Sequence, residues 1–344
     1  MKLRRLALVA GLVLFVWLLH RIGLGVIASS LKRVGWGFAA VLALEAVVVL
    51  FTTLGWRQAL SPPCQVPLSA LFAMRLAGDG VNALAPAAVV GGELVRAGLL
   101  SRYVPAAQAL GSVGLAAMAQ FLGQVLFLGL GAILVRGGAL QPRLRLLGLA
   151  LLVFLVIFAA VLARIARRRG DSPGRFGRLW TWLARGLPGG FLREGFGRDL
   201  EEQVFGAVRD RPGRLALSVL FFLAAWLVSV GEVALVLFFL GAPVAAATTL
   251  SIAVLAVLVE GVLFFVPARV GVQEGGLYAI FLALGLDPVL GFTLGLVRRL
   301  RELTWGLAGL LGLGFLRGRR EGAAAPDTSA IPSEPALGGG SAAR

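Results

Sequence analysis

The sequence predicts an all-α, polytopic helical membrane protein with two inverted repeats containing Pro-broken or re-entrant helices. Three observations predict it. Of 344 residues, 58% are hydrophobic and only 15% charged, with a mean hydropathy of +0.90, whereas a soluble domain carries roughly 25% charged residues. Several apolar stretches reach the ~20 residues that a spanning helix needs. Finally, two stretches offset by 181 residues repeat one pattern of Pro, Gly and acid.

The elements follow in order. The N-terminus, MKLRRLALVAGLVLFVWLLHRIGLG, has a basic start and an apolar run without an A-x-A site. It reads as a retained signal anchor spanning about residues 6–22. GLGVIASSLKRVGW then reads as a short interfacial segment. A second span covers about 36–56 and ends at Trp56-Arg57, a pair suited to the membrane–water boundary. SPPCQVP (61–67) breaks the chain with three prolines. LSALFAMRLAGDGVNALA runs into Pro86, and VVGGELVRAGLLSRY follows. Gly and Pro beside charges at membrane depth argue for a broken or re-entrant segment. Further spans fall at about 106–134 and 144–165.

Residues 164–214 form a hydrophilic insert with twelve Arg against six acids, placed on the cytoplasmic side by the positive-inside rule. Within it, Phe176, Leu179, Trp180, Leu183 and Leu187 recur at helical intervals, as in an amphipathic helix lying on the membrane; a plain cytoplasmic loop is the alternative. Spans resume at about 215–241. A second irregular region covers 246–286, and a last helix covers about 289–316. This gives one membrane domain over 1–316, with repeat 1 at about 36–134 and repeat 2 at about 215–316. The Ala-, Pro-, Gly- and Ser-rich tail 321–344 is expected to be disordered.

The net charge of +16 does not point to nucleic acid: 31 of the 33 basic residues are Arg, many of them between apolar runs. Genomic base composition explains Arg over Lys, and anionic lipid head groups are the functional alternative. Cys64 and His20 are the only residues of their kinds, which leaves no intrachain disulfide, no His/Cys metal cluster and no cofactor motif.

The repeat is the most informative feature. Residues 79–93, DGVNALAPAAVVGGE, align without a gap on 260–274, EGVLFFVPARVGVQE. Gly80/Gly261, Val81/Val262, Pro86/Pro267, Ala87/Ala268, Val89/Val270 and Glu93/Glu274 are identical, and Asp79 and Glu260 are both acidic. Apolar bias accounts for Val and Ala matches, not for one Pro and two acids in register. Counting spans outward from the insert opens the first broken region inside and the second outside, so the copies are inverted. Lys32, Arg33, Arg136, Arg143 and Arg145 then fall outside, against the rule. Inverted repeats with broken helices near the midplane are a recurring transporter design.

Charges within the apolar segments mark the candidate site. Asp79, Glu93, Glu260 and Glu274 each cost roughly 2.5–3.5 kcal/mol at a helix centre. They must face a polar interior, pair with Arg or be protonated. Half-helices after Pro86 and Pro267 present free N–H groups, which Glu93 and Glu274 can cap. Asn82 lies in the same segment, and Arg96 lies one turn after Glu93. In VRRLRE, Arg298, Arg301 and Glu302 share a helix face, while Arg299 points elsewhere to snorkel or pair. Arg269, with Arg298 and Arg301, suits an anionic head group. Glu45 and Glu232 are each singly placed, as for a helix-packing hydrogen bond. Two readings stay open: a structural ion-pair network, or a substrate or proton pathway.

A Pro followed by Gly and an acid with a nearby Arg, then P-x-R-x-G-x-Q-E, then an R-R-L-R-E helix, resembles one family over roughly residues 5–316. It is the flippase-like family named after the transmembrane part of lysylphosphatidylglycerol synthase. EGVLFFVPARVGVQEGG is most similar to its hopanoid-biosynthesis-associated branch. Gly91-Gly92-Glu93 departs from the family's usual Gly then Asp. The full synthases transfer lysine with a separate soluble domain that this chain does not contain, so that activity is not carried over. The resemblance implies a lipid-handling unit that moves lipid between leaflets, with membrane lipids as partners. The expected location is the bacterial cytoplasmic membrane, with both termini cytoplasmic. The alternatives are a scaffold that docks lipid-biosynthesis enzymes and a membrane-embedded lipid-modifying transferase.

Overall fold

The computed structural model describes residues 12–13, 16–61, 66–84, 91–135, 141–168, 196–263 and 271–321. Those residues are helical throughout, apart from short turns and caps. A helical stretch at 16–22 precedes α1 (Leu24–Val34) and α2 (Gly37–Ala59). Then come α3 (Leu68–Leu84), α4 (Gly91–Leu100), α5 (Ala106–Leu134) and α6 (Gln141–Arg168). The second half holds α7 (Phe196–Asp210), α8 (Pro212–Phe239), α9 (Ala246–Val262), α10 (Val272–Ala283) and α11 (Pro288–Glu321).

Four of these, α2, α5, the stretch Gln141–Arg164 of α6, and α8, are long and apolar enough to cross a membrane. Their expected ends agree with the structure to within a turn. The most apolar 18-residue stretch of Gln141–Arg164 has a mean hydropathy of 3.1 and little of it is buried. Leu146, Leu149, Phe154, Val156 and Ile157 are all exposed on it. An apolar helix that protein does not cover needs hydrocarbon around it. The chain is a multi-pass membrane protein.

Two apolar cores organise the helices. One gathers Trp56, Leu71, Leu100, Val113, Ala116 and Phe222, from α2 to α5 with one ring from α8. The other gathers Val233, Val236, Ile252, Leu277, Phe281 and Leu294, from α8 to α11. α8 lies along α2, and α11 lies along both α3 and α10, so these two long helices join the halves. Lipid tails are as apolar as Leu, so packing here depends on close approach rather than on water exclusion. Glycine provides it. A Cβ on Gly55 would lie 2.9 Å from the Phe222 ring, and one on Gly80 would lie 2.5 Å from the Gly306 carbonyl oxygen. One on Gly309 would run into the Leu76 carbonyl.

Within the stretch expected as a hydrophilic insert, Phe196–Asp210 is helical and packs on α5. Phe205 is buried in the contact, with Val204 and Ala207 beside it. Glu202, Arg209 and Asp210 of the same helix are exposed, and the net charge of the stretch hides the apolar contact. The expected amphipathic helix at 176–187 and the tail 322–344 lie outside the described residues. Residues 23–34, expected as interfacial, are mostly the short helix α1.

The α3–α11 crossing is testable. Gly309→Leu should destabilise the protein by about 1–3 kcal/mol through overpacking, read as a lower melting temperature in detergent. Gly312→Leu, where a Cβ would meet nothing within 4 Å, should leave it unchanged.

Candidate functional site: an ion-paired network between the helices

α3 carries Arg75, Asp79 and Asn82 at i, i+4 and i+7, hence on one face. α4 carries Glu93 and Arg96 one turn apart. Arg96 bridges Asp79 in a short ion pair and reaches Glu93 Oε1 at 3.3 Å. Arg75 Nε lies 3.3 Å from Asp79, and Arg75 Nη2 donates to Gln120 Oε1 of α5 at 3.1 Å. Asn82 Oδ1 accepts the Gly92 N–H at 2.8 Å. Asn82 thus takes the capping role expected of Glu93, and frees Glu93 for Arg96. α3 and α4 come this close because Gly78 and Gly92 meet: a Cβ on Gly78 would lie 2.5 Å from Arg96 Nε, and one on Gly92 would strike the Gly78 carbonyl. Trp56, Arg75, Glu93, Arg96 and Gln120 line a cavity of about 20 Å³. That is room for about one water molecule and not for a lipid head group.

The second cluster centres on α11. Arg301 Nη1 lies 2.5 Å from Glu232 Oε2 of α8 and 2.9 Å from Glu45 Oε2 of α2. Arg298 Nε approaches Glu232 Oε2 at 3.6 Å, and Arg301 Nη2 lies 3.9 Å from Glu302. Glu45 and Glu232 therefore do not serve as isolated packing groups; they are the main partners of Arg301. A guanidinium inside a bilayer needs carboxylates from whichever helices face it, and here they come from helices distant in sequence. Arg299, one step round α11, reaches Glu274 Oε1 at 2.9 Å. The other oxygen of Glu274 accepts the Gly271 N–H at 3.0 Å, which caps α10 as expected. Gly271 sits at φ 73°, a left-handed conformation suited to glycine.

The two clusters are close enough to interact. Asp79 and Glu302 both act electrostatically on Glu45, and Glu260 acts on Arg301. Asp79, Asn82, Glu93 and Arg96 thus form one group, and Arg298, Arg301 and Glu302 a second with Glu45 and Glu232. Pro86, Pro267 and Arg269 lie outside the described residues. Arg75 was missed, although its i, i+4 spacing to Asp79 was readable in the sequence.

The model of the lysylphosphatidylglycerol synthase TM region matches residues 4–312. The chain belongs to that family. Membership ties it to membrane lipid metabolism. No curated protein and no solved structure matches the chain.

Outside the apolar helices, Arg209 hydrogen-bonds Asp210 at 2.8 Å and holds that carboxyl below its ordinary range. Both side chains are about half exposed, so water screens the pair. Arg96→Leu would strand Glu93 and leave Asp79 to Arg75 alone, and should cost about 3–5 kcal/mol, measured as loss of folded protein on heating in detergent. Arg209→Ala should leave that curve unchanged; equal losses from the two variants would contradict the network's role.

Proposed function

We propose that this member of the family is a lipid translocase of the cytoplasmic membrane, moving or presenting a lipid through the polar zone between its halves. One observation carries the reading: charged side chains from α2, α3, α4, α8, α10 and α11 meet between helices of a membrane protein. Polar groups at that depth mark pathways for substrates and ions. Ion pairs that can be exchanged for a head group give a lipid a route that hydrocarbon denies it. Arg298 and Arg301 are the groups proposed to release their carboxylates to a lipid phosphate; Arg269, expected to join them, lies outside the described residues. Asp79, Glu93, Glu260 and Glu274 act as the internal counter-ions that take over when the lipid leaves. Leu68–Leu84 and Gly91–Leu100 are followed 178 and 181 residues later by Ala246–Val262 and Val272–Ala283, which supports two copies of one unit, proposed to be inverted. In this topology both termini are cytoplasmic.

A second reading, a scaffold for lipid-biosynthesis enzymes, is favoured by an open cavity of about 380 Å³ beside the insert. It is lined by Gln108, Glu202, Gln203, Arg209, Asp210 and Arg211, among others.

Reconstitution separates the two. Labelled phospholipid should exchange between leaflets faster in proteoliposomes than in protein-free vesicles. Arg301→Gln should slow that exchange about tenfold or more, the equivalent of ~1.4 kcal/mol or more on the barrier. Wild-type exchange no faster than in empty vesicles would reject translocation and leave the scaffold.

A further inference from the structure

The pairing in the α11 cluster is uneven. Among the described residues, Asp79 and Glu93 are matched by Arg75 and Arg96, and Glu274 by Arg299. Around Arg301 three carboxylates, Glu45, Glu232 and Glu302, contact two guanidiniums, those of Arg298 and Arg301. Beyond these contacts, Asp79 on α3 lies within electrostatic reach of Glu45, and Glu260 on α9 within reach of Arg301. Glu45 and Glu232 converge on one nitrogen, Arg301 Nη1, at 2.9 and 2.5 Å. Both N–H bonds of this one nitrogen are thereby committed to carboxylates, which brings the two acids together. Among the described residues, Glu232 Oε1 is buried and without a hydrogen-bond partner. Two like charges this close, away from water, carry a cost that one bound proton removes.

We propose that Glu45 and Glu232 form a carboxylate pair that binds one exchangeable proton at Arg301. The proton comes from water and returns to it; no bond other than O–H forms or breaks. Glu45 is the side that exchanges it, since its side chain is 19% exposed while that of Glu232 is 3% exposed. With the proton bound, two carboxylates face two guanidiniums. With the proton gone, Arg301 holds α2, α8 and α11 together against an excess negative charge. Proton binding therefore sets how firmly α2 and α8 are clamped to α11. Coupling this to lipid movement rests on the translocase reading above; the proton site does not.

The test is infrared difference spectroscopy of the full chain in lipid nanodiscs through a pH titration. A carbonyl-stretch band of a protonated carboxyl should appear and titrate in the wild type and in the exposed-site control Asp210→Asn. It should be lost in Glu45→Gln and in Glu232→Gln. Should Glu232→Gln fail to fold, Glu45→Asp replaces it and should keep the band with a displaced midpoint. No titrating band in the wild type, or a band retained in Glu45→Gln, overturns the proposal. Proteoliposomes then address coupling alone. A transmembrane pH gradient should change wild-type leaflet exchange severalfold and leave Glu45→Gln exchange unaltered; an equal response in both rejects the coupling while the spectroscopic result decides the site.

Discussion

Everything in this molecule depends on keeping charge paired where there is no water. A lone guanidinium or carboxylate at the centre of a bilayer helix costs several kcal/mol, and this chain places Arg75, Arg96, Arg298, Arg299 and Arg301 in its helical interior. Arg301 is the clearest case. It can sit in α11 only because α2 and α8 each bring one carboxylate to the same nitrogen. That requirement fixes which faces of three helices meet, in a medium where apolar surfaces have little preference among themselves. The glycines complete the arrangement. Close approach at Gly55 and Gly80, and at the Gly78–Gly92 crossing, brings the backbones near enough for short side chains such as Asp79 and Asn82 to bridge them.

The network also explains why the halves are joined as they are. α11 carries Arg298, Arg301 and Glu302 on one face and Arg299 on another. The first face takes partners from α2 and α8, and the second takes Glu274 from α10. A single helix thus ties α10 to α2, which precedes the insert, and to α8, which follows it. A lipid head group entering this zone would have to displace a carboxylate rather than fill an empty hollow, since the cavity beside Arg75 and Arg96 holds only about a water. Family membership ties the chain to membrane lipid metabolism, and the buried charges are the polar feature that the proposed translocation uses.

Much of the fold was legible. The apolar runs gave α2, α5, α6 and α8 because hydrophobicity and length are local properties. Spacing within one helix showed Glu93 next to Arg96, and the first-turn acid at Glu274 announced a cap. What could not be read was partnership across distance. Glu45 and Glu232 look like isolated acids in their own spans, and only the folded bundle reveals that both point at Arg301. Asn82 displaced Glu93 as the cap of α4 because Glu93 had a stronger attraction to Arg96, a competition settled by geometry. α7 escaped notice because its apolar side, around Phe205, sits in a segment whose overall charge suggested a loop.

The account is tested most directly by the coupling between Glu232 and Arg301. Unfolding in SDS micelles of the wild type, Glu232→Gln, Arg301→Gln and the double variant forms a closed cycle. A shared buried ion pair predicts a coupling of about 1.5 kcal/mol or more. Costs that add to within about 0.5 kcal/mol would show that the two side chains do not depend on each other, and the network would not be what joins the helices.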